Sequence, residues 1–299
     1  MMGNAEPSGT MSQRVRAVTG RQPVGWSRVT KGYTPAERWT VRFDDGSSAF
    51  VKAGVTEDTA GWLRKEHDIY ERLAGAPFLA ELRGWDDDGE TPLLLLEDLS
   101  GAQWPPPWTG ARIDAVLAVL DAVHASSPPI TERLDDDRAD MAGWWKIAED
   151  PQAFLSTGDC TAAWLERALP SLLEAERNAV LDGESLLHFD VRSDNLCIVG
   201  DRAVLVDWNW ACRGNPNVDA VSWLPSLRLE GGPPPETVIA AEPELAAFMC
   251  GFFARRAGLP DLPQAPRVRT IQRAQLRVAL PWTAALLGLP PPGRPGRLS

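Results

Sequence analysis

The period of the hydrophobic positions changes once along this chain. From Val24 to Leu96 the apolar residues fall mainly in short alternating runs. "RWTVRF" and "SAFVKAG" each turn every second side chain to one face, the period of a half-buried strand. Asp44-Asp45-Gly46 between them predicts a hairpin turn, because glycine supplies the positive φ of a tight reversal. One stretch has the helical period instead: "TEDTAGWLRKEHDIYERLAG" lines up Trp62, Leu63, Ile69, Tyr70 and Leu73, with Gly75 as C-cap. "TPLLLLEDL" reads as a compact apolar strand ending in two acids.

"SGAQWPPPWTG", rich in glycine and proline, predicts a linker. Past it the period is 3.6 in "ARIDAVLAVLDAVHASS", "TAAWLERALPSLLEAERNAVLDG", "PELAAFMCGFFARRAGL" and "RVRTIQRAQLRVALPWTAALLGL". The expected architecture is α+β and bilobal. A mobile N-terminus covers residues 1–12, and a small β-rich lobe with one helix covers 13–98. A hinge follows over 99–110, then a larger helical lobe over 111–290 and a frayed tail over 291–299.

Composition narrows the class. With 299 residues, 44% hydrophobic and 24% charged, the chain can bury a large core and does not have a disordered composition. A net charge of -11 disfavours nucleic acid as a partner and suits a cationic ligand. No apolar run reaches the length of a membrane span, and "MMGNAEPSGTMSQRVRA" lacks the apolar core of a secretion signal. Cys160, Cys197, Cys212 and Cys250 are scattered without metal-type spacing, so reduced thiols and a cytoplasmic location are expected. Thirteen tryptophans read first as core packing.

One stretch fits neither a buried strand nor a solvated loop. In "LLHFDVRSDNLCIV" aliphatic runs flank His188, Asp190, Arg192, Asp194 and Asn195, and Asp207 follows the apolar Val204-Leu205-Val206. Phosphoryl transfer calls for such a set: one carboxylate to accept the proton of the attacking hydroxyl, and an amide with a second carboxylate to hold metal ions on the nucleotide phosphates. A hairpin between the two apolar runs would bring Asn195 and Asp207 together.

With these residues the chain resembles the aminoglycoside phosphotransferase family, the small-molecule branch of the protein-kinase-like fold, from Val29 to about Leu287. The resemblance implies ATP and Mg2+ as cofactors. It implies that Lys52 in "FVKAG" grips the α- and β-phosphates, that Glu66 orients it, and that Leu96, Glu97 and Asp98 form the hinge that meets adenine. Asp190 corresponds to the catalytic base, Asn195 and Asp207 to the magnesium ligands, and Asp219 in "RGNPNVDAVSW" to a buried aspartate bracing the catalytic loop. Gly32 and Thr34 in "TKGYTPAERW" stand where phosphates would be covered. The chain departs from the pattern at Phe189, where the family has glycine, and at Trp208, where protein kinases have phenylalanine. Only nine residues separate Asp207 from Asn217, too few for a protein kinase's activation segment.

Several residues keep two readings. Arg192 is proposed to neutralise charge on the transferred group, or else to pair with Asp194 or Asp207. Glu66 is an ion-pair partner or part of a solvated helix face. His188 is expected to hold the loop rather than move protons, and His67 and His124 read as ordinary helix residues. Asp135-Asp136-Asp137 reads as a solvated loop, and Trp144-Trp145 as packing. The expected acceptor is a small-molecule hydroxyl on a cationic antibiotic such as an aminoglycoside, entering between "MAGWWKIAEDPQAFL" and the C-terminal helices. Sugars, amino alcohols, macrolides and nucleosides stay open, as does a nucleotide-binding pseudokinase. A monomer or weak dimer is expected, with no nucleic-acid or membrane partner.

Overall fold

Alternation in the first third of the chain builds an antiparallel sheet ordered β1-β2-β3-β5-β4, from β1 (Pro23–Arg28), β2 (Glu37–Phe43), β3 (Ser48–Ala53), β4 (Leu82–Asp86) and β5 (Leu93–Glu97). The hairpin turn falls where expected: Arg42 faces Ser48 across it, and Gly46 has φ +82°. Because strand side chains alternate, the sheet has two distinct faces. Trp39, Val41, Phe43, Ala49, Val51, Ala53, Leu93 and Leu95 share one buried cluster. Lys52 is on the opposite side of β3, in register with Arg38 on β2 and Leu94 on β5.

The computed structural model describes residues 7–30, 35–127, 130–263 and 265–293. The chain divides into two compact units, Met1–Pro105 with Asp194–Trp210, and Pro106–Ser193 with Ala211–Ser299.

Two expectations for the N-terminal region are corrected here. Residues 9–12 belong to a helix, α1 (Gly9–Thr19), so the β-rich unit has two helices rather than one. Ser8 caps its start through the Met11 N–H, and Gly20 ends it in the left-handed region at φ +68°. Met11, Val15 and Val18, spaced by four and three residues, turn one stripe onto the buried sheet face. A Cβ on Gly84 of β4 would lie 2.3 Å from a Val18 methyl, so this close approach requires glycine. Residues 1–6 lie outside the described residues, as does the tail from 294.

Helix α2 (Glu57–Arg72) begins in a capping box in which Thr56 and Thr59 exchange hydrogen bonds, and acids fill its first turn. It ends at Arg72, so Gly75, at φ +85°, makes the turn beyond the helix rather than its cap. Leu63, Glu66, Ile69 and Tyr70 form its buried stripe.

Residues 194–210, expected in the helical lobe, pack with the sheet unit instead. The hairpin of β7 (Leu196–Val199) and β8 (Arg202–Leu205) exchanges main-chain hydrogen bonds with its surroundings there: Ile198 with Gln103 in both directions, and the Leu205 N–H to the Phe78 carbonyl. Short strands with unpaired edges are held by whichever backbone satisfies them.

The second unit is helical: α3 (Gly110–His124), α4 (Arg138–Met141), α5 (Trp144–Glu149), α6 (Gln152–Leu155), α7 (Ala162–Asn178), α8 (Asn217–Leu229), α9 (Pro243–Ala257) and α10 (Arg267–Leu286). A two-stranded ribbon joins them, β6 (Ser185–Leu187) against β9 (Cys212–Gly214). Trp144 packs as expected, fully buried with its indole N–H on the Ala247 carbonyl. The buried Glu176 accepts the N–H groups of Gly143, Trp144 and Trp145, satisfying the start of α5. Asp136 and Asp137 are exposed, and Asp135 pairs with Arg138. Among the described residues no helix is long and apolar enough to cross a membrane.

Candidate active site

Within the sheet unit, β3, α2 and the end of the β7–β8 hairpin converge on Lys52. Its ammonium lies 2.6 Å from Glu66 Oε2 and 2.6 Å from Asp207 Oδ1. Glu66 is 1% exposed, so its solvated-face reading fails: it shares the inward stripe of α2 with Leu63 and Ile69. Burial alone would lower the Lys52 pKa. The two carboxylates outweigh it and raise the ammonium above its usual value, which keeps Lys52 charged.

Asn195 and Asp207 stand at the open end of the hairpin. Leu196 pairs with Leu205, and the Asn195 carbonyl accepts the Val206 N–H at 2.9 Å, so the two metal-type residues leave adjacent strands side by side. Asp207 has φ +68°, a left-handed conformation that a β-carbon makes costly. The Asn209 amide faces it and, with its nitrogen inward, donates to the Asp207 carbonyl at 3.1 Å and to Oδ1 at 2.9 Å. Trp208 is fully buried, with its N–H on the Leu205 carbonyl and its ring 5.6 Å from Phe78. An amide oxygen and a carboxylate are the hard donors that Mg2+ prefers, so the residues present fit that ion.

His188, Asp190 and Arg192, on the loop that follows β6, belong to the helical unit. Asp219, in the first turn of α8 and wholly buried, accepts the main-chain N–H of His188 at 3.0 Å and of Phe189 at 2.7 Å. Phe189 has φ +63°, which explains why glycine suits this position. The Asp190 N–H reaches His188 Nδ1 at 3.3 Å. Arg192 lies 3.3 Å from Asp190 Oδ2, an ion pair with the loop's own aspartate that neither reading of Arg192 anticipated.

Leu96 is buried in β5, and Glu97 donates its N–H to the Glu81 carbonyl at 2.8 Å, so a base edge meeting this segment would use other main-chain groups. Asp98 accepts the Ser100 N–H at 2.9 Å. Gly32 and Thr34 lie outside the described residues. In the helical unit, α5, α6 and α9 enclose a cavity of about 210 Å³ lined by Lys146, Asp150, Phe154, Arg255 and Leu259. Two cations against one acid do not suit a cationic acceptor there.

Two contributors escaped the pattern of the sequence. His124 at the end of α3 places Nε2 3.0 Å from Asp219 Oδ2, although it reads as an ordinary helix residue. Asn209 is the other. Its position two residues past Asp207 is a local signal, whereas nothing in the sequence links His124 to a residue 95 positions away.

The profile of the phosphotransferase enzyme family matches residues 25–252. No curated protein matches the chain. Among solved structures, a spectinomycin phosphotransferase in complex with ADP and spectinomycin is similar, with a TM-score of 0.66 at 11% identity over 95% of this chain and 99% of that one. A choline/ethanolamine kinase family protein from Mesorhizobium loti has a TM-score of 0.58 at 16% identity, over 94% and 96%. An aminoglycoside phosphotransferase from Alicyclobacillus acidocaldarius has 0.57 at 13%, over 96% and 97%. At such identities the likeness is one of fold, the protein-kinase-like α+β fold.

Proposed function

The chain belongs to the phosphotransferase enzyme family, and from that premise we propose that it transfers the γ-phosphoryl group of ATP to a hydroxyl of a small molecule. The observation that carries this reading is the triple of Lys52, Glu66 and Asp207. A buried lysine held at 2.6 Å by two carboxylates is a costly arrangement unless the ammonium has a task.

In this mechanism Lys52, oriented by Glu66, binds the α- and β-phosphates. Asp190 accepts the proton of the acceptor hydroxyl as the new O–P bond forms and the bond from the γ-phosphorus to the bridging oxygen breaks, releasing ADP. Arg192, beside Asp190, offsets charge on the phosphoryl oxygens. Asn195 and Asp207 would hold Mg2+, whose charge neutralises phosphate oxygens once bound. Asp219 keeps the loop in place, and Leu96 to Asp98 border the base.

The acceptor proposed is a cationic antibiotic of the aminoglycoside kind, with resistance as the role. The net charge of -11 supports it, as do fold neighbours bound to spectinomycin and streptomycin. An amino alcohol is the second reading, favoured by the choline/ethanolamine kinase neighbour. A coupled ADP-release screen over aminoglycosides, peptide antibiotics, sugars and amino alcohols with MgATP tests both. Release with at least one acceptor is expected, abolished by Asp190→Ala while nucleotide binding survives. Nucleotide binding without turnover across the whole panel would leave a binding module and end the enzymatic reading.

A further inference from the structure

We propose that Glu230 is a positioning residue for the catalytic loop, fastening it at Ser193 and thereby holding Asp190 in place. The proposal rests on Asp190 being the base. Helix α8 starts at Asn217, and Asp219 in its first turn grips the loop at the N–H groups of His188 and Phe189. Glu230 caps the other end of the same helix. Its Oε1 accepts the Ser193 hydroxyl at 2.5 Å, and its Oε2 accepts the Trp108 indole N–H at 2.9 Å.

One helix therefore holds both ends of the segment from His188 to Ser193. Asp190 lies between these two fastenings, two residues from the first and three from the second. Glu230 is itself fixed. Trp108 packs edge-on against Trp223 of α8 at 5.5 Å, so the indole N–H that meets Glu230 has a set direction. Glu230 thus receives a donor on each oxygen, and one of them is the loop.

The test uses the full chain with two probes: MgATP alone, read as basal ADP release, and MgATP with the best acceptor of the screen. Glu230→Ala and Ser193→Ala are each expected to lower kcat by roughly 10- to 100-fold, because a small misplacement of a reacting group has that cost. The KM values for nucleotide and acceptor should stay within about twofold. The double variant should be no worse than Glu230→Ala alone, since that change already removes the bond to Ser193. Glu230→Gln should recover most of kcat, because its amide can donate to the Ser193 oxygen and accept from Trp108. Amide exchange of residues 189–193 should quicken in both alanine variants, a readout that needs no acceptor. Ser193→Ala removes one oxygen and serves if Glu230→Ala fails to fold. Unchanged loop exchange and kcat in Ser193→Ala would overturn the proposal. So would a rise confined to the acceptor KM, which would make Glu230 an acceptor contact. If Asp190→Ala keeps full turnover in the same assay, the base assignment fails, whatever Glu230 does.

Discussion

Lys52 and Asp207, 155 positions apart in the chain, meet at 2.6 Å, and Glu66 closes on the same ammonium. Removing the cation leaves Glu66 buried without its partner. Lys52→Ala is therefore expected to cost about 3 kcal/mol of stability, at the low end for a broken buried pair because Asp207 is partly exposed. Denaturant unfolding measures it. Adding Glu66→Gln to Lys52→Ala should restore part of the loss, since the stranded charge is gone. ADP release should stay abolished in both.

Asp219 holds the N–H groups of His188 and Phe189, and His124 holds Asp219. Asp219→Ala leaves two main-chain donors without their acceptor in a buried place, so a loss of about 2–4 kcal/mol is expected. His124→Ala removes one neighbour and leaves both loop bonds, so about 1 kcal/mol is expected. Equal losses in the two variants, compared by unfolding midpoints, would show that the loop bonds carry little.

Phe189 sits at φ +63°. Alanine is usually favoured over glycine, but here the order should invert. Phe189→Gly relieves the left-handed strain while Phe189→Ala keeps it, so the glycine variant should be the more stable by about 1 kcal/mol. The same comparison at an extended position would give the opposite sign.

Burial pushes the Cys160 and Cys197 thiols up to about 12, and Cys250 is raised as well. In the unfolded chain they ionise near 9. Between pH 9 and about 12 the folded state holds protons that the unfolded state has lost, so stability should be full below pH 9 and fall as pH rises through that window. Lys52, raised above its usual 10.5, adds to the loss in the upper part of that window, because above 10.5 the unfolded chain gives up a proton that the folded ammonium keeps. A disulfide reagent at pH 8 should find these three thiols unreactive until the protein is unfolded.

Much of the architecture was legible in local pattern. Alternation marks β2 and β3, the 3.6 period marks α2, α3, α7, α9 and α10, and Asp44-Asp45-Gly46 marks the hairpin, because each depends on neighbours a few residues away. Helix α1 also had such a signal, a Ser8 cap, a Met11-Val15-Val18 stripe and Gly20, but it lies in a terminal segment whose polarity reads as a loose end. The spacing of His188, Asp190, Asn195 and Asp207 pointed to phosphoryl transfer for the same local reason.

Long-range choices were not legible. Sequence alone left Glu66 between a solvated face and an ion pair, and only the packing of α2 beside β3 turned it inward, because the same stripe carries Leu63 and Ile69. It could not tell that residues 194–210 bond to Gln103 and Phe78, since any unpaired backbone can satisfy a short hairpin. The Asp190 partner of Arg192, the His124 contact to Asp219 and the two fastenings of Glu230 were likewise decided by folding. Periodicity and motif spacing are properties of adjacent residues and survive in a one-dimensional string. Which polar side chain meets which is settled only when burial forces distant donors and acceptors to find one another.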